Sequence, residues 1–120
     1  FNILVRNTDD HPRNHGVVID GEKMSLSPAY DIVPTPALSG VGTDFHLAMS
    51  VGEQGREATL ENALSRSARF GLSKENAQAI ISQLIKTTIN WREHYEECGI
   101  SGREVDILTP SFAICNSVLK

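Results

Sequence analysis

The stretch NTDDHPRNH, residues 7 to 15, sets two adjacent carboxylates, two histidines, an arginine and two asparagines around one proline. Several of these types have a use in a reaction centre. A carboxylate can accept the proton of a hydroxyl that is about to attack. An amide oxygen and a second carboxylate can hold a hard divalent cation, which prefers oxygen ligands and leaves its other positions to water and phosphate. Asp9 and Asn14 stand five residues apart, and Asp31 follows two short runs, GVVID and KMSLS, that read as the strands of a hairpin. Each strand advances ~3.3 Å per residue and the second reverses the first, so the chain returns close to where it left and brings Asp31 toward Asn14. Arg13, inside the loop, can lie against a transferred anionic group and offset its charge. The same residues have a plainer use. Asp9, Asp10 and Asn14 can satisfy neighbouring backbone N–H groups in a turn that Pro12 stiffens, with Arg13 a solvated surface side chain.

The elements that must position these groups follow from the rest of the pattern. Phe1 to Arg6 is too short to assign by period: Phe1, Leu4 and Val5 share a face if it is the end of a helix, and a strand fits equally. Asp20-Gly21 marks the hairpin turn, with Gly21 and Glu22 between the two runs. PAYDIVPTPAL holds three of the five prolines; these lack a ladder N–H and restrict the residue before them, so an extended loop is expected, prolonged by Gly40 and Gly42. In DFHLAMSVG, Phe45, Leu47, Met49 and Val51 alternate as in a half-buried strand, which turns His46 outward. Thr59 is an N-cap for a helix with Leu60, Ala63, Leu64 and Ala68 in one stripe and Gly71 as its stop. Ser73 caps a second helix, whose apolar positions run from Ala77 through Trp91 and Tyr95 to Cys98, with Gly99 as terminator. Trp91 and Tyr95 read as packing anchors. Thr109 and Pro110 form an N-cap and first-turn pair for a final helix through Phe112, Ala113, Cys115 and Val118. The expected class is α+β, mostly α-helical.

Composition narrows the partners. A length of 120 residues suits one domain. A chain that begins at Phe1 without Met and runs straight into the polar cluster reads as a segment of something longer. The formal charge of -4 and pI near 5.5 argue against direct nucleic-acid binding, which needs clustered Lys and Arg. No apolar run approaches the roughly 20 residues of a membrane helix, so no membrane partner is expected. Cys98 and Cys115 lack CxxC spacing, which suggests neither a zinc site nor a disulfide framework. Free thiols and the lack of a secretory signal fit the cytoplasm.

The five-residue offset of Asp9 and Asn14 is that of the catalytic Asp and metal-binding Asn in protein-kinase catalytic loops. Beyond that offset, TDDHPRNHG followed by LSPAYDIVPTP resembles the HipA family, bacterial toxin kinases of type II toxin-antitoxin modules. The likeness spans essentially the whole chain, with HLAMSVG and the closing helices included. In that family the loop reads T-D-x-H-x-K/R-N and the metal aspartate sits in a Y-D pair. The resemblance implies a protein-kinase-like C-lobe over residues 1–120, with a short β-hairpin after the catalytic loop. It implies Asp9 as catalytic base, Asn14 and Asp31 as ligands of Mg²⁺ and so of the ATP phosphates, and Arg13 as the basic loop residue. His11 matches the loop histidine and is expected to brace the loop by hydrogen bonds. The implied activity is transfer of phosphate from ATP to a Ser or Thr of a cytosolic protein, glutamyl-tRNA synthetase in the best-known members. The implied partner is a DNA-binding HipB-like antitoxin.

Departures from other kinases bound that reading. Thr8 precedes Asp9 and Ile32-Val33 follow Asp31, where ordinary protein kinases have His-Arg and Phe-Gly. Neither Gly40-Val41-Gly42 nor Gly52 to Gly55 has the G-x-G-x-x-G pattern of a phosphate loop. The chain is therefore expected to be inactive without an N-terminal ATP-binding lobe. A kinase-like module that has lost catalysis and docks a partner is the alternative. A metal-dependent phosphohydrolase built on the Asp-Asp-His run lacks further ligands at suitable spacing. Asp10 is expected in solvent or as a cap. His15 either supports Asn14 or lies on the surface, and Tyr30 is expected to pack on the hairpin and aim Asp31.

Overall fold

The computed structural model of the protein describes residues 1–36 and 44–118. Its first residues form a helical turn, in which the N–H groups of Leu4 and Val5 reach the carbonyl of Phe1 at 2.8 and 3.3 Å. The helical alternative for this stretch therefore holds. Its buried face differs from the expected one: Ile3, Leu4 and Val5 are buried while Phe1 is half exposed. At about 100° per residue, Ile3 and Val5 point to nearly opposite sides of the turn, and each enters a different core. Val5 packs with Trp91, Val105, Phe112 and Cys115, with Ile32, Tyr95 and Leu108 against them. Ile3 packs with Leu47 and Ala58, bordered by Phe45, Val51, Leu60 and Ile114. The turn ahead of the polar loop is thus gripped from both sides.

The hairpin forms as the sequence predicts. β1 (Val17–Asp20) pairs antiparallel with β2 (Lys23–Leu26), Asp20 opposite Lys23. Gly21 takes the left-handed φ of +59° that the first position of the two-residue loop requires, a conformation other residues adopt only with strain. Cross-strand partners share a face, so Val17, Ile19, Met24 and Leu26 form one apolar face, opposite to one with Asp20, Lys23 and Ser25. That apolar face lies open: Ile19, Met24 and Leu26 are 72, 73 and 75 % exposed. Beyond β2 the chain is irregular through Pro36, as its prolines dictate. The portion with Gly40 and Gly42 lies outside the described residues.

Residues 45–51 do not form the expected strand. A single bridge joins His46 to Glu57, and a second closes the tight turn Gly52–Gly55. The reason is competition for donors. The N–H groups of Ala48 and Met49 go to the carboxylate of Asp10, so a ladder cannot continue past Leu47. The alternation still reports burial: Leu47 is buried, Phe45 and Val51 pack beside it, and His46 is exposed. The turn is held by Asn62, whose Oδ1 accepts Gln54 N–H at 2.8 Å and whose Nδ2 donates to the carbonyls of Gly55 and Glu57 at 3.2 and 2.7 Å. Gly52 lies so close that a Cβ there would overlap the Asn62 carbonyl.

Helices make up the remainder. Thr59 caps α1 (Leu60–Ser65) by accepting Asn62 N–H. The helix stops earlier than the stripe suggests, because a 3₁₀ turn at Ser67–Phe70 intervenes before the left-handed Gly71. Ser73 caps α2 (Lys74–Thr88). The single long helix expected up to Cys98 is broken at Ile89-Asn90, and α3 (Trp91–Glu97) begins afresh. Thr87 and Thr88 bond back to the carbonyls of Gln83 and Leu84 at 3.1 and 2.7 Å. Such back-bonding bends a helix, and the β-branched run Thr87-Thr88-Ile89 followed by Asn90 has weak helix preference. The break lets Trp91 stack on Phe112 with centroids 4.1 Å apart and planes 4° off parallel, while Tyr95 meets both rings edge-on. Such pairs contribute about 0.5–1.5 kcal/mol beyond the area they bury.

The C-terminal part also differs from expectation. Ser101 and Glu104 form a reciprocal capping box that starts α4 (Gly102–Leu108). Thr109 does not cap a helix start. It closes α4, its hydroxyl donating to the Val105 carbonyl at 3.3 Å and accepting from Arg92 at 2.9 Å. Pro110 falls in the 3₁₀ turn Thr109–Phe112, which leads into α5 (Ala113–Ser117).

Candidate active site

The polar loop runs in a single 3₁₀ turn, Pro12–Asn14, for which Pro12 supplies a fixed φ and no wasted donor. Asp9 precedes it with a side chain 77 % exposed. Its backbone is nevertheless fixed, because the Asn14 amide nitrogen donates to the Asp9 carbonyl at 2.8 Å. That bond decides the orientation of the Asn14 amide. With Nδ2 spent on Asp9, Oδ1 remains an acceptor for another partner. His11 Nε2 lies 3.7 Å from the Asp9 carboxylate. His11 braces the loop through its backbone, whose carbonyl accepts the Asn14 N–H at 2.9 Å and lies 3.2 Å from His15 Nδ1. Its own Nδ1 is buried without a hydrogen-bond partner among the described residues. His15 is on the surface and touches His11, not the Asn14 side chain.

Asp31 arrives from the other side of the hairpin. The hairpin closes behind Asn14, with Ser27 N–H on the Gly16 carbonyl at 2.9 Å. Tyr30 then donates its hydroxyl to the Arg13 carbonyl at 2.7 Å. Tyr30 therefore ties its segment to the polar loop directly, with its ring beside Gly16 at the foot of the hairpin. Asp31, next in the chain, is exposed and takes a left-handed φ of +56°, which Asp tolerates better than most residues. Ile32 follows into the same core that receives Val5. One apolar cluster thus anchors the chain just upstream of Asp9 and just downstream of Asp31. Arg13 is exposed, without an acidic partner among the described residues.

Between the loop and the hairpin lies a cavity of about 130 Å³ bordered by Asn14, Gly16, Ser27 and Tyr30. It is smaller than sites for drug-sized ligands, which run to about 300–1,000 Å³; Asp10 and Asn14 line it, whereas Asp9 and Asp31 do not. Among the described residues no three His, Cys, Asp or Glu side chains converge. Asn14 and Asp31 offer oxygen alone, the donor type that Mg²⁺ takes, and an ion of that kind fills its other positions with water and phosphate.

Four further residues hold the loop. Asp10 is buried, with Oδ1 accepting Ala48 N–H at 2.9 Å and Met49 N–H at 3.4 Å. Asp10 is thus not in solvent, and its donors come from a distant strip, not from a local turn or helix start. The Thr8 hydroxyl lies 3.1 Å from that of Thr35, Thr35 N–H reaches the Arg6 carbonyl at 3.0 Å, and Ser111 donates to the Thr35 carbonyl at 2.9 Å. No local pattern announces Thr35 or Ser111, because the latter bond joins residues 76 apart.

A family model described as the HipA-like C-terminal domain matches residues 1–91. The chain belongs to that family. The match covers the polar loop, the hairpin, the Asp10 clasp and α2, and it ends at Trp91, short of the closing helices that the resemblance is expected to include. No curated protein and no solved structure matches the chain. The HipA-like domain therefore supplies the polar loop, Asp9 and Asp31 within its matched part, while α4, the 3₁₀ turn Thr109–Phe112 and α5 bring Val105, Phe112 and Cys115 to the core from outside it. No described helix is long and apolar enough to cross a membrane.

Proposed function

We propose that this HipA-like domain is the catalytic, protein-kinase-like C-lobe of a Ser/Thr kinase of the toxin type, acting in the cytoplasm when joined to an ATP-binding lobe. The observation that carries the reading is the Asn14 bond to the Asp9 carbonyl. It fixes the backbone of an exposed carboxylate and leaves an amide oxygen for a cation. Asp9 accepts the proton of the substrate hydroxyl as that oxygen bonds to the γ-phosphorus of ATP and the bond to the ADP oxygen breaks. Arg13, without an acidic partner among the described residues, offsets charge on the transferred phosphoryl. Asn14 and Asp31 would hold Mg²⁺, which when bound neutralises phosphate charge. By family, the partners are a cytosolic protein substrate and a HipB-like antitoxin.

The open apolar face of the hairpin favours a second reading, a module that binds a partner without catalysis, since exposed apolar patches mark interaction sites. One experiment separates the two. In the full-length protein, Mg²⁺-dependent transfer of the γ-phosphate is expected, and Asp9→Asn is expected to lower it by about 10²–10⁴-fold, the contribution of a positioned base. Asp31→Asn should lower it with a raised Mg²⁺ requirement. Transfer undiminished in Asp9→Asn sinks the kinase reading.

A further inference from the structure

Two carboxylates stand side by side at the head of the loop, and the structure gives them opposite surroundings. Asp9 is open to solvent, whereas Asp10 is 6 % exposed. A buried carboxylate must find donors, and those of Asp10 are the amides of Ala48 and Met49, 38 and 39 residues downstream. Bonds of this charge-assisted kind are among the stronger ones in proteins. The same strip also grips the turn ahead of the loop, with Leu47 against Ile3 and the Arg6 guanidinium 4.6 Å over the Phe45 ring. On the other flank, Thr8 is held by Thr35, in the segment that follows Asp31. Asp9 therefore sits between two residues that are each fastened from outside the loop, while its own carbonyl is fastened by Asn14.

We infer that Asp10 is a positioning residue for the Asp9 base, an assignment that rests on the function proposed above. Asp10 touches neither phosphate nor substrate. It sets where Asp9 stands relative to the strip 45–49 by seizing two amides that would otherwise extend a strand. A displacement of about 1 Å at a reacting group can cost on the order of 100-fold in rate, so releasing the clasp slows the chemical step with nucleotide binding intact. This separates Asp10 from Asn14 and Asp31, whose loss changes the Mg²⁺ requirement.

The test uses the full-length protein with Asp10→Asn and Asp10→Ala, reading kcat, KM for ATP and amide hydrogen exchange at Ala48 and Met49. Asp10→Asn keeps the shape and an acceptor oxygen and is expected to stay within about threefold of wild-type kcat, whereas Asp10→Ala falls on the order of 100-fold. KM for ATP should be unchanged and exchange at both amides faster in Asp10→Ala. Loss confined to kcat is what a positioning role predicts. Wild-type kcat in Asp10→Ala, or a change confined to KM, overturns the inference. If Asp10→Ala does not fold, Asp10→Glu takes its place: it keeps the charge and moves the acceptors by one methylene, and undiminished kcat there overturns it equally. A wild-type protein without phosphoryl transfer removes the proposed function and this inference with it. An active wild type with an indifferent Asp10→Ala removes the inference alone.

Discussion

Replacing Asn62 by Ala strips the turn at 52–57 of its internal support. Asn62 is 1 % exposed, and its side chain makes three bonds to that turn, one accepted from Gln54 N–H and two donated to the carbonyls of Gly55 and Glu57. Gln54 and Glu57 are exposed, so water can reach the freed backbone groups in part, and the cost lies nearer the net worth of each bond than its full desolvation penalty. At about 1 kcal/mol apiece the three sum to about 3 kcal/mol, a large share of the roughly 5–15 kcal/mol that holds a domain together. For a chain of this size that is a fall in Tm of about 10 °C. Urea denaturation followed by far-UV circular dichroism reads it, with the m-value unchanged. Asn62→Asp sharpens the measurement. It keeps the acceptor for Gln54, deletes both donors and sets a charge against two carbonyls, so it should be at least as destabilised as Asn62→Ala. A loss below about 1 kcal/mol in Asn62→Ala, or a neutral Asn62→Asp, would refute the assignment of Asn62 as the support of the turn.

Two predictions concern the helical end of the chain. The Ser101 hydroxyl and then its backbone N–H hold the Glu104 carboxyl below its usual range. A depressed carboxyl contributes stability above its unfolded value of about 4.3, and that contribution is lost as pH falls through the lower folded value. Wild type should be more stable than Glu104→Gln at neutral pH, with the difference closing toward about pH 3 in thermal melts; a constant difference contradicts the capping-box assignment. The two thiols should also part company. Cys98 is exposed at the end of α3, while Cys115 is fully buried and burial pushes its thiol up. Since the thiolate is the reactive form, a disulfide reagent should modify Cys98 in the native protein and Cys115 only after unfolding. Equal native reactivity would place Cys115 outside the core.

What was legible in the sequence was what short stretches decide for themselves. Thr59 and Ser73 announced helix starts through cap chemistry, Gly21 announced the hairpin loop, and the prolines forbade regular structure after β2. The polar loop and the Y-D pair were readable because their spacing is local, and the family follows from them. Long-range bonds stayed hidden. Asp10 takes the amides of Ala48 and Met49, which converts an alternating strand pattern into a single bridge. The apolar period of α2 continues into α3 without a gap, yet Thr87, Thr88 and Asn90 end the first helix and the stack of Trp91 on Phe112 sets the direction of the second. The start of α4 was visible in Ser101 and Glu104, a capping-box pair, although no long apolar stripe drew attention to it.

The chain contains one tryptophan, and its ring lies face to face with Phe112 in the cluster shared by Val5 and Ile32. Those two aliphatic neighbours flank the polar loop and Asp31, so the indole stands at the junction from which both arms extend. Its emission is consequently a label-free gauge of that junction. A red shift marks water entering beneath both arms at once, and a change of intensity at constant wavelength marks the rings sliding on each other while the cluster stays dry.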